Sequence, residues 1–453
     1  TNDVKVNDIA SFANDVDIDA GGAIVITTTT SANTTGGTIN LSGDSVTAGD
    51  IDSVKGSLIV TATANDVGLA QVDAQNDITL TGDGVTTSGT VDSSNGGVLV
   101  TATNDIDFSG AVTANDTITV SGASVDGTAV NNSSGTAGAD VKITATGTAA
   151  SDSITLTDNV AAADDVVFTS GSDIAMANAK SITAGNDVTL TANNDIDLVG
   201  DSDVVATAGD ISITATLGKI DGDTLAATAG TVTLSANDGA SSTLESVTAE
   251  DIVITQGNFA INGALTASDD LELNGSTDVS GATMMNAPEI SISTTNDITV
   301  TETNTTLLVS GSGADLSLGN VHSDSATANS LVTISTAGGN DTMVLIESDK
   351  FSVTTGNDAD DVTVTSVKLG TTVDMGAGDD VINMGETTND SVITMGAGND
   401  EITINTTGKG TIDAGAGDAD LVIVVDAAND VTDATGYTFK NIEDIKIMND
   451  NDA

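Results

Sequence analysis

The chain reads as an all-β protein, a parallel β-helix (β-solenoid) wound right-handed with about 20 residues per coil. Apolar and polar residues alternate in short runs, the runs recur at a fixed period, and proline and aromatic rings are nearly missing. The alternation is clear in DVTLTA from Asp187, DISITA from Asp210 and DIVITQ from Asp251, the period of two that a half-buried strand needs. The residues just ahead of the first apolar position in five such runs are Asp187, Asp210, Thr231, Asp251 and Asp270, stepping by 23, 21, 20 and 19. Downstream, Asp341, Asp361, Asp380, Asp400 and Asp420 step by 20, 19, 20 and 20. Periods of this size mark repeat architectures, and short β-runs without helical periodicity between them select a solenoid.

Each coil then holds two or three short strands, joined by tight turns and hydrogen-bonded in parallel to their copies about 4.8 Å above and below. Alternation sends Ile211 and Ile213 inward and Ser212 and Thr214 outward. Gly, Asn and Asp fill the corners, where left-handed backbone is common. The right-handed winding follows from the crossover rule. With no tryptophan, one tyrosine and six phenylalanines, the core must be thin and built from Val, Ile, Leu and Ala. Pro288, the single proline, is expected at the start of a strand, where a missing N–H is tolerated. With the less regular stretch 303–330 it marks a seam. The expected divisions are 1–300, a transition coil 301–335, the repeats 336–425 and a C-terminal cap 426–453, with Phe439, Ile442, Ile445 and Ile447 covering the last coil. The segment 121–140 is expected to project as a loop.

Composition excludes whole classes of partner. The 453 residues carry 67 Asp plus Glu against ten basic residues, all lysine, for a formal charge of -57. Nucleic acid and anionic membrane surfaces need Lys and Arg to replace counterions, so neither is an expected partner. Cations are. No stretch approaches the roughly 20 apolar residues that span a bilayer, so no membrane insertion is expected. TNDVKVNDIA at the start lacks a charged-then-apolar leader pattern, as expected of a mature form or a fragment. Without cysteine there is neither a disulfide framework nor a thiolate metal site. Disorder in the absence of the right cation is a reading the acidity keeps open.

Two stretches point to that cation. MGAGDDVIN (375–383) places Gly376, Gly378, Asp380 and Ile382 at alternate positions, and MGAGNDEIT (395–403) does the same with Gly396, Gly398, Asp400 and Ile402. TAGGNDTMV (336–344) keeps Gly339 and Asp341, TTGNDADD (354–361) ends on Asp361, and AGAGDADLV (414–422) carries Gly415, Gly417 and Asp420. Residues 336–425 resemble the calcium-binding nonapeptides of RTX proteins, G-G-x-G-x-D-x-U-x with U apolar, with Met375 and Met395 in place of the first glycine. The resemblance implies Ca2+ as the cofactor. It implies a ligand role for Asp380 and Asp400, and for Asp341, Asp361 and Asp420, in turns shaped by Gly376, Gly378, Gly396, Gly398, Gly415 and Gly417. A hard cation takes six to eight oxygens, and stacked carboxylates near turn carbonyls supply them. Without the ion the stacked carboxylates repel one another. The isolated pairs Asn65-Asp66 and Asn115-Asp116 read as solvated turn residues. Residues from about 40 to 300, with lines such as TAGDISITAT (207–216), resemble filamentous haemagglutinin-type repeats.

Catalysis is not expected. His322 is the only histidine and reads as a surface or turn residue, arginine and cysteine are missing, and aromatic platforms for sugars hardly exist. The calcium repeats and extreme acidity resemble RTX-bearing bacterial surface-layer proteins. That implies an extracellular, cell-surface structural protein that self-assembles into a layer or fibre, with a cell-surface glycan or another surface protein as a further partner. The alternatives are the stalk of a large adhesin, and an ice- or mineral-binding solenoid using outward Thr rows such as TTTT (27–30).

Overall fold

The computed structural model describes the chain except residues 1, 8, 12–14, 29, 33–36, 133–137, 199, 201, 238, 240, 283, 295–297, 301–302, 311–315, 323–330, 337, 348–349, 368–369, 388–389, 406–408, 418–420, 427–435 and 450–453. The fold is an all-β parallel solenoid of about 20 residues per turn, with no α-helix among the described residues. Two compact units divide it, Thr1–Asn237 and Asp238–Ala453.

In the first unit each coil is three-sided. A five-residue strand is followed by two strands of three residues, as in Val188–Ala192, Ile196–Leu198 and Val204–Ala206. Each pairs in parallel with the third strand before and after it: Val188 lies on Val166 and under Ile211, Ile196 on Ile174, and Val204 on Ile182. The alternation works as expected, since Ile211 and Ile213 are buried while Ser212 and Thr214 reach the surface. The core is columns of Val, Ile, Leu and Ala, joined by the buried Phe108 and Phe168. Glycine takes an outward position at Gly68, where an added Cβ would meet nothing within 4 Å.

The residue ahead of each five-residue strand forms one vertical column. Asp140, Asp165, Asp187, Asp210 and Thr231 lie in it, one per coil. Here the side chain replaces a turn residue's lost partner: Oδ1 of Asp165 accepts from the amide of Asp187 (3.1 Å), Asp187 from that of Asp210 (2.8 Å), and Asp210 from that of Thr231 (2.8 Å). Asp66 staples the next corner in the same sense, accepting from Gly84 N (3.0 Å), whereas Asp116 accepts from its own neighbour Thr117 (2.8 Å). Most of the segment expected to loop out, 121–140, is instead wound into coils through Val125–Gly127 and Val130–Asn132. Its described Ser and Gly residues, among them Ser121, Gly122, Ser124 and Gly127, are strand and corner positions, and 133–137 lie outside the described residues.

In the second unit, from residue 331 on, each coil has two sides. Strands Lys350–Thr354, Thr371–Asp374, Asp390–Thr394 and Lys409–Asp413 stack on one side. Asp361–Val367, Val381–Thr387 and Glu401–Asn405 stack on the other. Pro288 sits within strand Met284–Thr294 rather than at its start, and the pairing skips a residue between Ala287 and Glu289. A residue without N–H cannot supply that rung, so the ladder bulges past it. Tyr437–Lys440 and Asp444–Asn449, in the expected cap, lie in parallel register on Lys409–Asp413 and Leu421–Asp426 as a further layer, with Ile445 half exposed.

Candidate metal centre

The glycine-rich corners of the second unit join its two sides. Met375 to Asp380 and Met395 to Asp400 superpose residue on residue, with Ala377 bridged to Ala397 and Ala397 to Ala416. The glycines are required by crowding. Gly376, Gly396 and Gly415 have φ of 88°, 98° and 91°, in the left-handed region. A Cβ on Gly396 would lie 1.7 Å from the carbonyl oxygen of Gly376, and one on Gly398 1.5 Å from that of Gly378. A Cβ on Gly378 would meet Asp358 O at 2.2 Å, and one on Gly415 would meet Gly396 O at 1.9 Å. The carbonyls of Gly356, Gly376 and Gly396 accept from the amides of Ala377 (3.0 Å), Ala397 (3.0 Å) and Ala416 (2.7 Å). They are engaged in a main-chain ladder at the corner. Gly417 is partly exposed beside it.

The last residue of each corner is an aspartate that turns into the core. Asp341, Asp360, Asp380 and Asp400 are at most 2% exposed. Oδ1 of Asp360 accepts from the amide of Asp341 (2.8 Å), Asp380 from that of Asp360 (2.9 Å), and Asp400 from that of Asp380 (3.0 Å). Asp341 Oδ2 accepts from the Thr336 hydroxyl (2.5 Å). One coil on, Thr355 donates to the carbonyl of Met375 (2.7 Å), and then Met375 and Met395 take the threonine's place. The Oδ2 of Asp380 is buried with no hydrogen-bond partner.

Charge makes this column expensive. Burial, with Asp360 and Asp400 on either side, pushes the Asp380 carboxyl up from 3.8 to about 7, against the lowering effect of the amide it holds. Burial raises Asp360 likewise, with the Asp341 amide, the Thr355 hydroxyl and the Gly356 amide opposing it. On the outside, where water screens them, stacked carboxylates shift in the same direction: Asp52 by partial burial and Asp73, Asp197 by partial burial and Asp221.

Of the aspartates singled out in the sequence, Asp341, Asp380 and Asp400 share the column, and Asp420 lies outside the described residues. Asp361 does not share it. Asp361 is exposed, opens a strand opposite Val381, and gives its amide to the carbonyl of Asp341 (2.8 Å), so the column member of that coil is Asp360. The signal was the count from the corner's first residue: Thr336, Thr355, Met375 and Met395 each stand five residues before the buried carboxylate. Alongside runs an exposed ladder of opposite sense, in which Asn340 accepts from Ala359 N (3.2 Å) and Asp379 from Asn399 N (2.8 Å). Two acidic triads elsewhere, Asp140–Asp164–Asp165 and Asp251–Asp269–Asp270, bring carboxylate oxygens within 4.8 Å of one another. The Asp-Asp pairs at 164–165 and 269–270 were their sequence signal. Asp140 already carries Lys142 Nζ at 2.6 Å.

The buried column offers carboxylate oxygen in an apolar setting and neither imidazole nor thiolate, a donor set that suits a hard cation over zinc or copper. Compared with known proteins, the chain matches no family model, no curated protein and no solved structure.

Proposed function

We propose that the chain is an extracellular structural protein, a calcium-stabilised β-solenoid that assembles into a surface layer or fibre and has no catalytic role. The observation that carries this reading is the buried Oδ2 of Asp380, without a hydrogen-bond partner and one coil from the likewise raised carboxyl of Asp360. Two such carboxylates are neutralised either by protons or by a cation, and at neutral pH an oxygen-only set favours Ca2+. Among the described residues the three-carboxylate groups that converge within 4.8 Å lie outside the column, so neighbouring pairs among Asp341, Asp360, Asp380 and Asp400 would each hold an ion between two coils. The glycines would act by allowing the coils to approach. Sites with so few carboxylates per ion suit the millimolar calcium of extracellular modules. Bound calcium would supply the attraction that the repelling carboxylates lack, coupling metal to folding.

The test is calorimetry and circular dichroism at pH 8 in chelator and in millimolar CaCl2, followed by electron microscopy of both samples. Calcium should raise the melting temperature and yield ordered sheets or filaments. A melt indifferent to calcium would defeat the metal reading, and isolated particles at every calcium concentration would defeat the assembly.

A further inference from the structure

The five-residue strands of the first unit present two outward residues per coil. The second of these is a hydroxyl in ten consecutive coils: it begins Ser42, Thr61, Thr81, Thr101 and continues in unbroken register to Thr214 and Ser235. The other outward column mixes hydroxyls with Asn40, Ile59, Leu99, Val167 and Lys142, and Ile59 and Leu99 are 37% and 44% exposed. These twenty positions hold no carboxylate. With 67 acidic residues in 453, about one in seven, chance would put roughly three there. The acids of this face, Asp17 and Asp19, lie one coil earlier. Outward positions as such do not exclude acid, since the second side of the coil carries Asp107, Asp126, Asp197 and Asp221 and the third carries Asp52 and Asp73.

We propose that this carboxylate-free face is where a second copy of the chain docks, sheet face against sheet face. The inference rests on the self-assembly reading above and supplies its contact surface. Two chains of charge -57 repel everywhere that acids point outward, and of the three sides of this unit only this one keeps carboxylates off its outward strand positions, the corner column of Asp140, Asp165, Asp187 and Asp210 standing at its rim. Its size is right: ten coils at ~4.8 Å by a five-residue strand at ~3.3 Å per residue give a patch of roughly 700–800 Å², against about 800 Å² per partner for a stable interface. Threonine methyls, Ile59, Leu99 and Val167 supply apolar area, and sheets stacked on such faces sit about 10 Å apart.

Sedimentation velocity on the full chain in 0.5 M NaCl tests it. The wild type should self-associate. The triple variant Thr81→Asp, Thr101→Asp, Thr144→Asp should weaken association by ~100-fold or more, roughly 2.7 kcal/mol. A control with the same charge change on the other two sides, Thr86→Asp, Thr155→Asp, Thr183→Asp, should associate like the wild type. Should the triple variant not fold, Leu99→Glu alone, at an exposed position, carries the test. A monomeric wild type, equal weakening by the two sets, or reshaping of ice crystals by a wild type that stays monomeric overturns the proposal. Calcium-dependent melts on the same samples separate the readings: a wild type that associates but is weakened equally by both variant sets sinks the docking face and leaves self-assembly standing, a monomeric wild type sinks both, and a melt indifferent to calcium sinks the metal column only.

Discussion

Asp380 folds into a place where its charge is unwelcome. Its carboxyl is raised from 3.8 to about 7 in the folded chain. A raised acid binds its proton more tightly folded than unfolded, so the metal-free fold loses stability as pH climbs from about 4 to about 7, by up to about 4 kcal/mol for this group. Urea titrations in chelator should show that decline, and calcium should reverse it most strongly at pH 8, where it has no proton to displace. Asp380→Asn keeps an oxygen for the Asp360 amide but removes the charge. In chelator at pH 8 it should be more stable than wild type by a few kcal/mol, with a smaller response to calcium; a less stable variant with an undiminished response would contradict the ion-binding column. Most of this column was legible in the sequence, because glycine spacing fixes the corner. Asp361 was misread for a physical reason: strand and corner meet inside an Asp-Asp pair, and only the register with Val381 says which carboxylate turns inward.

At the scale of elements, alternation located the strands, and the period gave the coil. It could not give the number of sides. Three short strands and two longer ones both fit about 20 residues, and Gly, Asp, Asn and Thr serve as corner and as outward strand residue alike. Crowding separates the two uses. Gly396→Ala, at φ 98° with a carbonyl 1.7 Å from the new Cβ, should destabilise the second unit by about 1–3 kcal/mol or more. Gly68→Ala, in an open outward position, should leave stability unchanged or raise it by about 0.5–1 kcal/mol. Denaturant midpoints of the pair check this; equal effects would mean that the corners are not closely stacked. Asp187→Ala strips the Asp210 amide of its acceptor and should cost about 1 kcal/mol, since the exposed amide regains water.

For the whole molecule, charge dominates. Ten lysines cannot offset 67 carboxylates, and only three ion pairs are formed among the described residues, Lys142–Asp140, Lys180–Asp158 and Lys219–Asp221. Repulsion between exposed carboxylates weakens when the screening length falls toward the coil spacing, from about 10 Å at 0.1 M salt to about 3 Å at 1 M. The melting temperature in chelator should therefore rise steadily with NaCl. A flat salt response would assign the stability to the Val, Ile and Leu columns alone.

The opposed senses of the two aspartate ladders bear on how the chain winds. In the run Asp165, Asp187, Asp210, each carboxylate awaits the amide of the turn synthesised after it, so every completed turn is a finished template for the newcomer. The inward run works backwards: the amides of Asp341, Asp360 and Asp380 stay unmet until the later turn arrives with its carboxylate. One stretch can therefore be laid down as it emerges, while the other closes from its far end like a zip drawn toward the start of the chain.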